Sequence, residues 1–428
     1  MARWIARTSS LSMLGFVSIL VASCDLDSVL EVNDPSAFTS DDLDAPIALP
    51  AVANGVEGDL HNTVENIVIQ TALLSDEFMH TGTWSGYEDS DLGRHRPGVG
   101  TSVEQGDLFE VRTAAAEAEA RFTRVMGDSA GRTKLMAQVT SAAGWADLLI
   151  AMVNCEGVAE ALGPAVSDSA MYEAAIPLLQ RAISVAQAAN QPTYENFSRA
   201  GLARAYLMIG RYDEALAEAQ QVPDGFSYSA RYSEAGNSNS LVQLNHYTEN
   251  KAAGLDSRRW GQADTTGARD IFLDHFSGLE DPRVPLVHRV GNRLGVDGVK
   301  KFFSQNKYST RDSDIPMTHW QEMRLIEAEA HWASGDYDQA IARMNVVRAD
   351  AGLPPLDNPN TRDGVLDYLL EERFATLFLE GQRANDLYRF NLFPQVIGTG
   401  FNTKFPMTNG EIQNNPNIEQ IRSCPKVS

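Results

Sequence analysis

Two stretches of this chain, ARAYLMIGRYDEALA at 203–217 and AEAHWASGDYDQAIA at 328–342, align without a gap. Gly210 falls on Gly335, Tyr212 on Tyr337 and Ala215 on Ala340. This is the pattern of a tetratricopeptide helix–turn–helix. Glycine permits the tight turn, tyrosine packs at the start of the second helix, and alanine lets the two helices approach closely. MYEAAIPLLQRAISVAQAA at 171–189 supplies a preceding helix. Two clear units make no long solenoid, so they are expected to form the helical core of a larger domain.

Upstream, IALPAVANGVEGDLHNTVENIVIQTALLSDEF (47–78), DLFEVRTAAAEAEARFTRVM (107–126) and TKLMAQVTSAAGWADLLIAMV (133–153) carry apolar residues at helical spacing. Residues 223–318 differ. They are rich in Gly, Ser, Asn, Asp and Arg, with scattered aromatics and weak helical periodicity. They read as a loop-rich insertion with short strands and one short helix near ARDIFLDHF (268–276). MHTGTWSGYEDSDLGRHRPGVG at 79–100 reads as a second loop segment. Ordered loops on a helical scaffold are the usual place for binding surfaces. The expected fold is mainly α, with tetratricopeptide-like hairpins, long irregular loops and minor β structure, in a single domain over 45–428.

The N-terminus has the layout of a signal peptide over 1–23. MARWIARTSS carries Arg3 and Arg7 and no acid, and LSMLGFVSILVA is too short to span a bilayer comfortably. Val21-Ala22-Ser23-Cys24 is the bacterial lipobox pattern, in which the Cys24 thiol receives a diacylglycerol and becomes the first residue. The alternative is an ordinary secreted protein. Several acyl chains hold a protein on a membrane where one does not. The acidic, turn-rich 24–44 then reads as a tether, and no later segment reads as a transmembrane helix. Of the three cysteines, Cys155 and Cys424 remain. Outside the cytoplasm such a pair is expected to form a disulfide, the alternative being two buried thiols.

The formal charge of −22 and the lack of any basic cluster exclude a nucleic-acid partner. Nothing points to a metal or cofactor: there is no CxxC, and the eight histidines are scattered. GDSAG at 127–131 matches GxSxG with Ser129 in the centre. A nucleophile elbow needs a strand before the serine, and here an alanine-rich helix precedes it, so the motif reads as a helix–helix turn. Glu371 and Glu372 are adjacent and point to different sides of a helix, which is no glycosidase pair.

EERFATLFLEGQRANDLYRFNLFP at 371–394 places Glu380, Arg383, Asp386 and Arg389 at strict three-residue intervals with alternating sign. On a helix such residues are neighbours, so Glu380–Arg383 and Asp386–Arg389 are expected to pair locally. Gly381 costs helix propensity and signals close approach of another backbone or a break. The ladder reads as a structural device.

This stretch resembles the C-terminal signature of the SusD/RagB family, R-x-x-E-L-x-x-E-G-x-R-x-x-D-L-x-R. Arg373, Leu377, Glu380, Gly381, Arg383, Asp386, Leu387 and Arg389 match. Thr376 stands where glutamate is usual, and Ala384 where a large aromatic is common. LEVNDPSAFTSDD, DPRVP at 281–285 and KFPMTNGEIQNNPNIEQ resemble further family segments in the same order. NCEGVAE at 154–160 departs from the family's YGDVP. The resemblance implies a lipid-anchored, surface-facing outer-membrane protein without catalysis. It implies capture of an oligosaccharide or peptide and its transfer to a SusC-like TonB-dependent receptor. A tetratricopeptide scaffold lipoprotein of the cell envelope and an extracellular glycosidase are the competing readings.

Loop aromatics are the candidate ligand platforms. Trp84 and Tyr87 lie in HTGTWSGYEDS between glycines and acids, and family members often place ligand contacts after an early helix. Trp260 in DSRRWGQ and Tyr232 in SARYSEAG are further candidates. Trp145, Trp320 and Trp332 are set aside as helix core. Cys24→Ser is expected to abolish incorporation of a fatty-acid probe; labelling that persists, or a mature terminus elsewhere, contradicts acylation at Cys24.

Overall fold

Gly210 and Gly335 both adopt the left-handed backbone, at φ +73° and +84°, and each turns the chain from one helix into the next. The pairs they close are α6 (Pro192–Met208) with α7 (Tyr212–Ala219), and α9 (Trp320–Ser334) with α10 (Tyr337–Asp350). Tyr212 and Tyr337 are the first residues of their second helices, and Ala215 and Ala340 are fully buried between helices. The mainly helical, tetratricopeptide-like architecture is as the repeat implies.

This computed structural model describes residues 40–95, 105–245, 253–255, 271–286, 294–418, 424 and 426–427. The expected signal peptide, Cys24 and Trp260 lie outside them. Two units are delimited, 1–43 and 44–428. Of the first, only the short helix Ser40–Leu43 is described.

The second unit begins with α1 (Leu49–Leu74), β1 (Phe78–His80) and α2 (Ser85–Asp91). Next come α3 (Gln105–Met126), α4 (Lys134–Val153), β2 (Glu156–Val158), β3 (Ala165–Ser167) and α5 (Asp168–Ala188). Helices α3 to α7 pack each on the next, and α9 joins α7 to α11 (Arg362–Thr376). Thr133, Ser167, Asp336 and Thr361 cap α4, α5, α10 and α11 through their side-chain oxygens. In the core, Trp145 of α4 stacks on Phe197 of α6 at 4.5 Å, and Phe197 stacks on Tyr228 at 3.7 Å. A Cβ on Gly201 would stand 3.0 Å from the Trp145 ring, so glycine there sets how closely α4 and α6 approach.

Helix α4 is long and apolar enough to cross a membrane, contrary to the sequence reading, but it is almost wholly buried as the core helix. GDSAG forms a 3-10 turn, Gly127–Arg132, and the Ser129 hydroxyl donates to Met126 O at 2.8 Å.

The 223–318 region holds β4 (Ser227–Ala230), α8 (Ser240–Asn245) and β5 (Ala253–Leu255), and ends in β6 (Ile315–His319). β4 pairs antiparallel with β6, and β5 with β1. The described part of ARDIFLDHF, 271–276, is a bridge and turn rather than a helix. Asp274 accounts for this: its carboxylate accepts from Ser277 N at 2.8 Å and from Arg348 at 2.9 and 3.0 Å, which fixes a turn. The 79–100 segment likewise contains β1's last residues and α2 instead of an open loop.

Beyond α11 come α12 (Arg383–Arg389), α13 (Phe393–Val396) and α14 (Asn409–Asn414). The tail returns to the end of α4. Cys155 N donates to Phe405 O at 3.0 Å, and Lys404 Nζ bonds Ala151 O and Asp168 at 2.9 and 2.8 Å. Cys155 and Cys424 are joined by a disulfide, Cα–Cα 5.7 Å, across a separation of 269 residues. A crosslink closing so long a loop restricts the unfolded chain strongly. The Cys155→Ser, Cys424→Ser double variant is expected to lose about 2–4 kcal/mol in urea unfolding; unchanged stability means the tail is held by its hydrogen bonds alone.

Candidate ligand surface and the buried charge ladder

The helix carrying the ladder breaks in the middle. α11 ends at Thr376, Leu379 and Gly381 take the left-handed conformation (φ +54° and +75°), and α12 begins at Arg383. The four charges therefore do not form one stripe. Asp386–Arg389 pair as expected, at 2.8 Å. Glu380 and Arg383, on either side of the break, part company. Arg383 makes a bidentate pair with Asp76 at the end of α1, at 2.7 and 2.9 Å. Glu380 accepts from Lys307 at 2.6 Å and His319 at 2.9 Å.

Arg373 donates to Asp386 at 2.8 Å, and Arg389 also grips Glu329 of α9. Glu372, one residue before Arg373, takes Arg283 and Arg348, each at 2.5 Å. Burial pushes the Asp386 carboxyl up, but Arg373 and Arg389 outweigh it and hold it below the usual carboxylate range. Burial likewise raises Glu380, and Lys307 and His319 reverse this and bring it down to about 2. Every charge in the ladder is paired inside the fold, Glu380 with a loop and a strand end, the other three with charges on or beside helices.

Trp84 has the opposite surroundings. It is the residue preceding α2 and is 51% exposed. The Tyr87 ring, packed on the main core, lies 5.5 Å from it at 37°. The support beneath is hydrogen-bonded on several sides. Asp91 accepts from His80 N at 3.1 Å, and the Ser90 hydroxyl lies between Gln70 of α1 and His95, at 2.5 and 3.1 Å. A turn at 294–301 abuts the same segment: Asp297 N donates to Thr81 O at 2.9 Å and Lys300 Nζ to His80 O at 2.6 Å. That turn leaves Val296 and Val299 exposed. Glu88, Asp89 and Arg94 supply exposed polar groups on α2 and just after it.

Tyr232 is not a platform. It is 7% exposed; its hydroxyl donates to His61 O at 2.8 Å and accepts from Glu65 N at 3.0 Å, pinning the insertion onto α1. Of the tryptophans set aside as core, Trp145 and Trp332 are buried, but Trp320 is only partly so and lines an open cleft. Among the described residues no group of three metal-ligating side chains comes together.

The fold thus defines a class: a protein of tetratricopeptide-like hairpins knitted by buried ion pairs and carrying ordered loops. Residues 295–404 match the model of the SusD family. Over 154 residues the chain is 28% identical to a SusD-like protein of Formosa agariphila, covering 33% of this chain and 28% of that relative. The match therefore spans under a third of the relative's length. Solved structures align far more widely. A SusD superfamily protein from Bacteroides vulgatus ATCC 8482 has a TM-score of 0.66 at 15% identity, over 88% of this chain and 98% of its own. A SusD-like protein from Bacteroides fragilis NCTC 9343 gives 0.67 at 13%, over 90% and 98%. A laminarin-binding SusD-like protein gives 0.60 at 15%, over 87% and 98%. The chain thus matches the SusD family over residues 295–404 and shares the fold of SusD superfamily structures over most of its length.

Glu77 adds a pH dependence to the ladder. It is buried, its Oε1 accepts from Leu379 N at 2.7 Å, and its Oε2 has no partner among the described residues. Burial pushes it from 4.5 to about 8. The folded protein keeps this proton while the unfolded chain releases it, so the associated stability is full below pH 4.5 and is lost as pH rises through 8. Glu77→Gln is expected to flatten the fall in the urea midpoint between pH 5 and 8; an identical fall in both proteins refutes a proton on Glu77.

Proposed function

We propose that this chain is a lipid-anchored, surface-facing outer-membrane protein that captures an oligosaccharide and passes it to a SusC-like TonB-dependent transporter. The observation that carries the capture step is Trp84, a large ring left half open on a braced segment with Tyr87 beside it. A pyranose presents an apolar C–H face that stacks on such a ring, while hydroxyls bond the surrounding acids, amides and cations. Rigid support matters because an anchor fixed before binding loses little entropy on binding. The laminarin-binding neighbour of the same fold supports a glucan as the first ligand to try. The Cys24 lipobox supports the anchor, and the strongly acidic composition suits a neutral ligand.

A binding role also agrees with the fate of the buried carboxylates. Glu329, Glu372, Glu380 and Asp386 are each committed to cations, which suits them poorly for proton transfer in hydrolysis. Capture without turnover is the reading that follows.

Trp84→Ala is the direct test, with laminarin oligosaccharides as probe. Loss of a central aromatic anchor costs about 2 kcal/mol or more, so binding is expected to weaken at least tenfold while the melting temperature stays the same. Unchanged affinity in the folded variant places capture elsewhere.

A further inference from the structure

A cleft of about 380 Å³ opens between the β4–β6 ribbon, the first turn of α9 and the end of α10. Trp320 forms part of its wall together with Pro316, Val347 and Ala351. The indole belongs to the first residue of α9, and its backbone N–H is fixed to Phe226 O at 2.9 Å. The floor is polar. It contains Glu380 with Lys307 and His319 bonded to it, and beside them the Thr376 hydroxyl, held by Arg283 at 3.1 Å. The rim carries Ser227, which is exposed, and Gln321, whose amide donates to Asp350 at 3.0 Å.

We infer that this cleft is a second ligand site, separate from Trp84, for a neutral sugar of mono- or disaccharide size. The wall offers a flat indole and aliphatic groups, against which a C–H face packs. The floor offers donors and acceptors whose charges are already neutralised. Among the described residues Lys307 uses one hydrogen on Phe378 O and one on Glu380, which leaves one to donate. Each Glu380 oxygen holds one bond, so each has a lone pair left to accept. Arg283 is committed to Asp281 and Glu372. A charged ligand would be desolvated there without finding an unpaired opposite charge, whereas hydroxyls both donate and accept. The volume lies at the lower end of the range for small-molecule sites, which fits a short sugar rather than a long chain.

This inference rests on the sugar-capture reading for its choice of probes, and the two are separable. The full chain, labelled with 5-fluorotryptophan, gives a fluorine resonance for each of its six tryptophans. Trp320→Phe and Trp84→Phe assign the two that matter. The probes are laminaribiose, cellobiose and maltose, titrated separately. The expected result is a saturable shift of the Trp320 resonance with at least one of them. That shift is retained in Trp84→Ala and lost in Ser227→Arg, which plugs the mouth from an exposed position and leaves the floor intact. A Trp320 resonance that stays still with all three overturns the second site, and so does a shift that survives Ser227→Arg. If Trp320 responds while Trp84 is silent, the cleft stands and capture at Trp84 falls. If only Trp84 responds, capture stands and the cleft falls.

Discussion

Asp386 lies in the protein interior between two guanidiniums. Arg373 approaches one oxygen and Arg389 the other, each at 2.8 Å. Arg389 then reaches Glu329, which is fully buried on α9. Removing any member strands a charge where water does not reach it, and breaking such a pair by deleting one partner costs about 3–5 kcal/mol. The wider set makes the same arrangement in several directions. Arg383 ties the start of α12 to the end of α1 through Asp76, Glu372 ties α11 to α10 through Arg348, and Glu380 ties the break between α11 and α12 to β6 through His319. Buried ion pairs add less stability than apolar packing would, but they accept few alternative geometries. Here they fix the angles at which the hairpins and the loop-rich insertion meet.

That rigidity is what gives the open surfaces their meaning. The insertion is braced from beneath: Tyr232 and Tyr308 turn their hydroxyls inward, to His61 O and to Leu379 O. The 79–95 segment is held separately, through Asp91, Ser90 and His95, and there Trp84 stays exposed. The left-handed Leu379 and Gly381 serve the same frame, since the break they create lets Glu380 and Arg383 serve different partners.

The hairpins were legible because a tetratricopeptide turn is local chemistry: Gly210, Tyr212 and Ala215 each do their work within a few residues. The ladder was legible as a structural element, but only half of its pairing was. An i, i+3 rule assumes a continuous helix, and Gly381 signalled the interruption without saying who the new partners were. Asp76 and Lys307 are far away in sequence and have no motif. Two aromatics, Tyr232 and Trp320, were misplaced for the same reason. Tyr232 sits among small polar residues, as an exposed ring would, yet His61, 171 residues away, captures its hydroxyl. Trp320 sits in a helix, as a core ring would, yet it occupies the first turn, where exposure is set by what packs against that end.

The central claim is that the Asp386–Arg389 pair fixes the scaffold while the oligosaccharide is bound elsewhere. It is tested most directly by a double-mutant cycle on Asp386 and Arg389, with unfolding free energy and oligosaccharide affinity measured on the same proteins. The account predicts that Asp386→Asn destabilises by about 3–5 kcal/mol, that the two substitutions are strongly coupled, and that the folded fraction of each variant binds as the wild type does. A variant that keeps its stability and loses its ligand would contradict it.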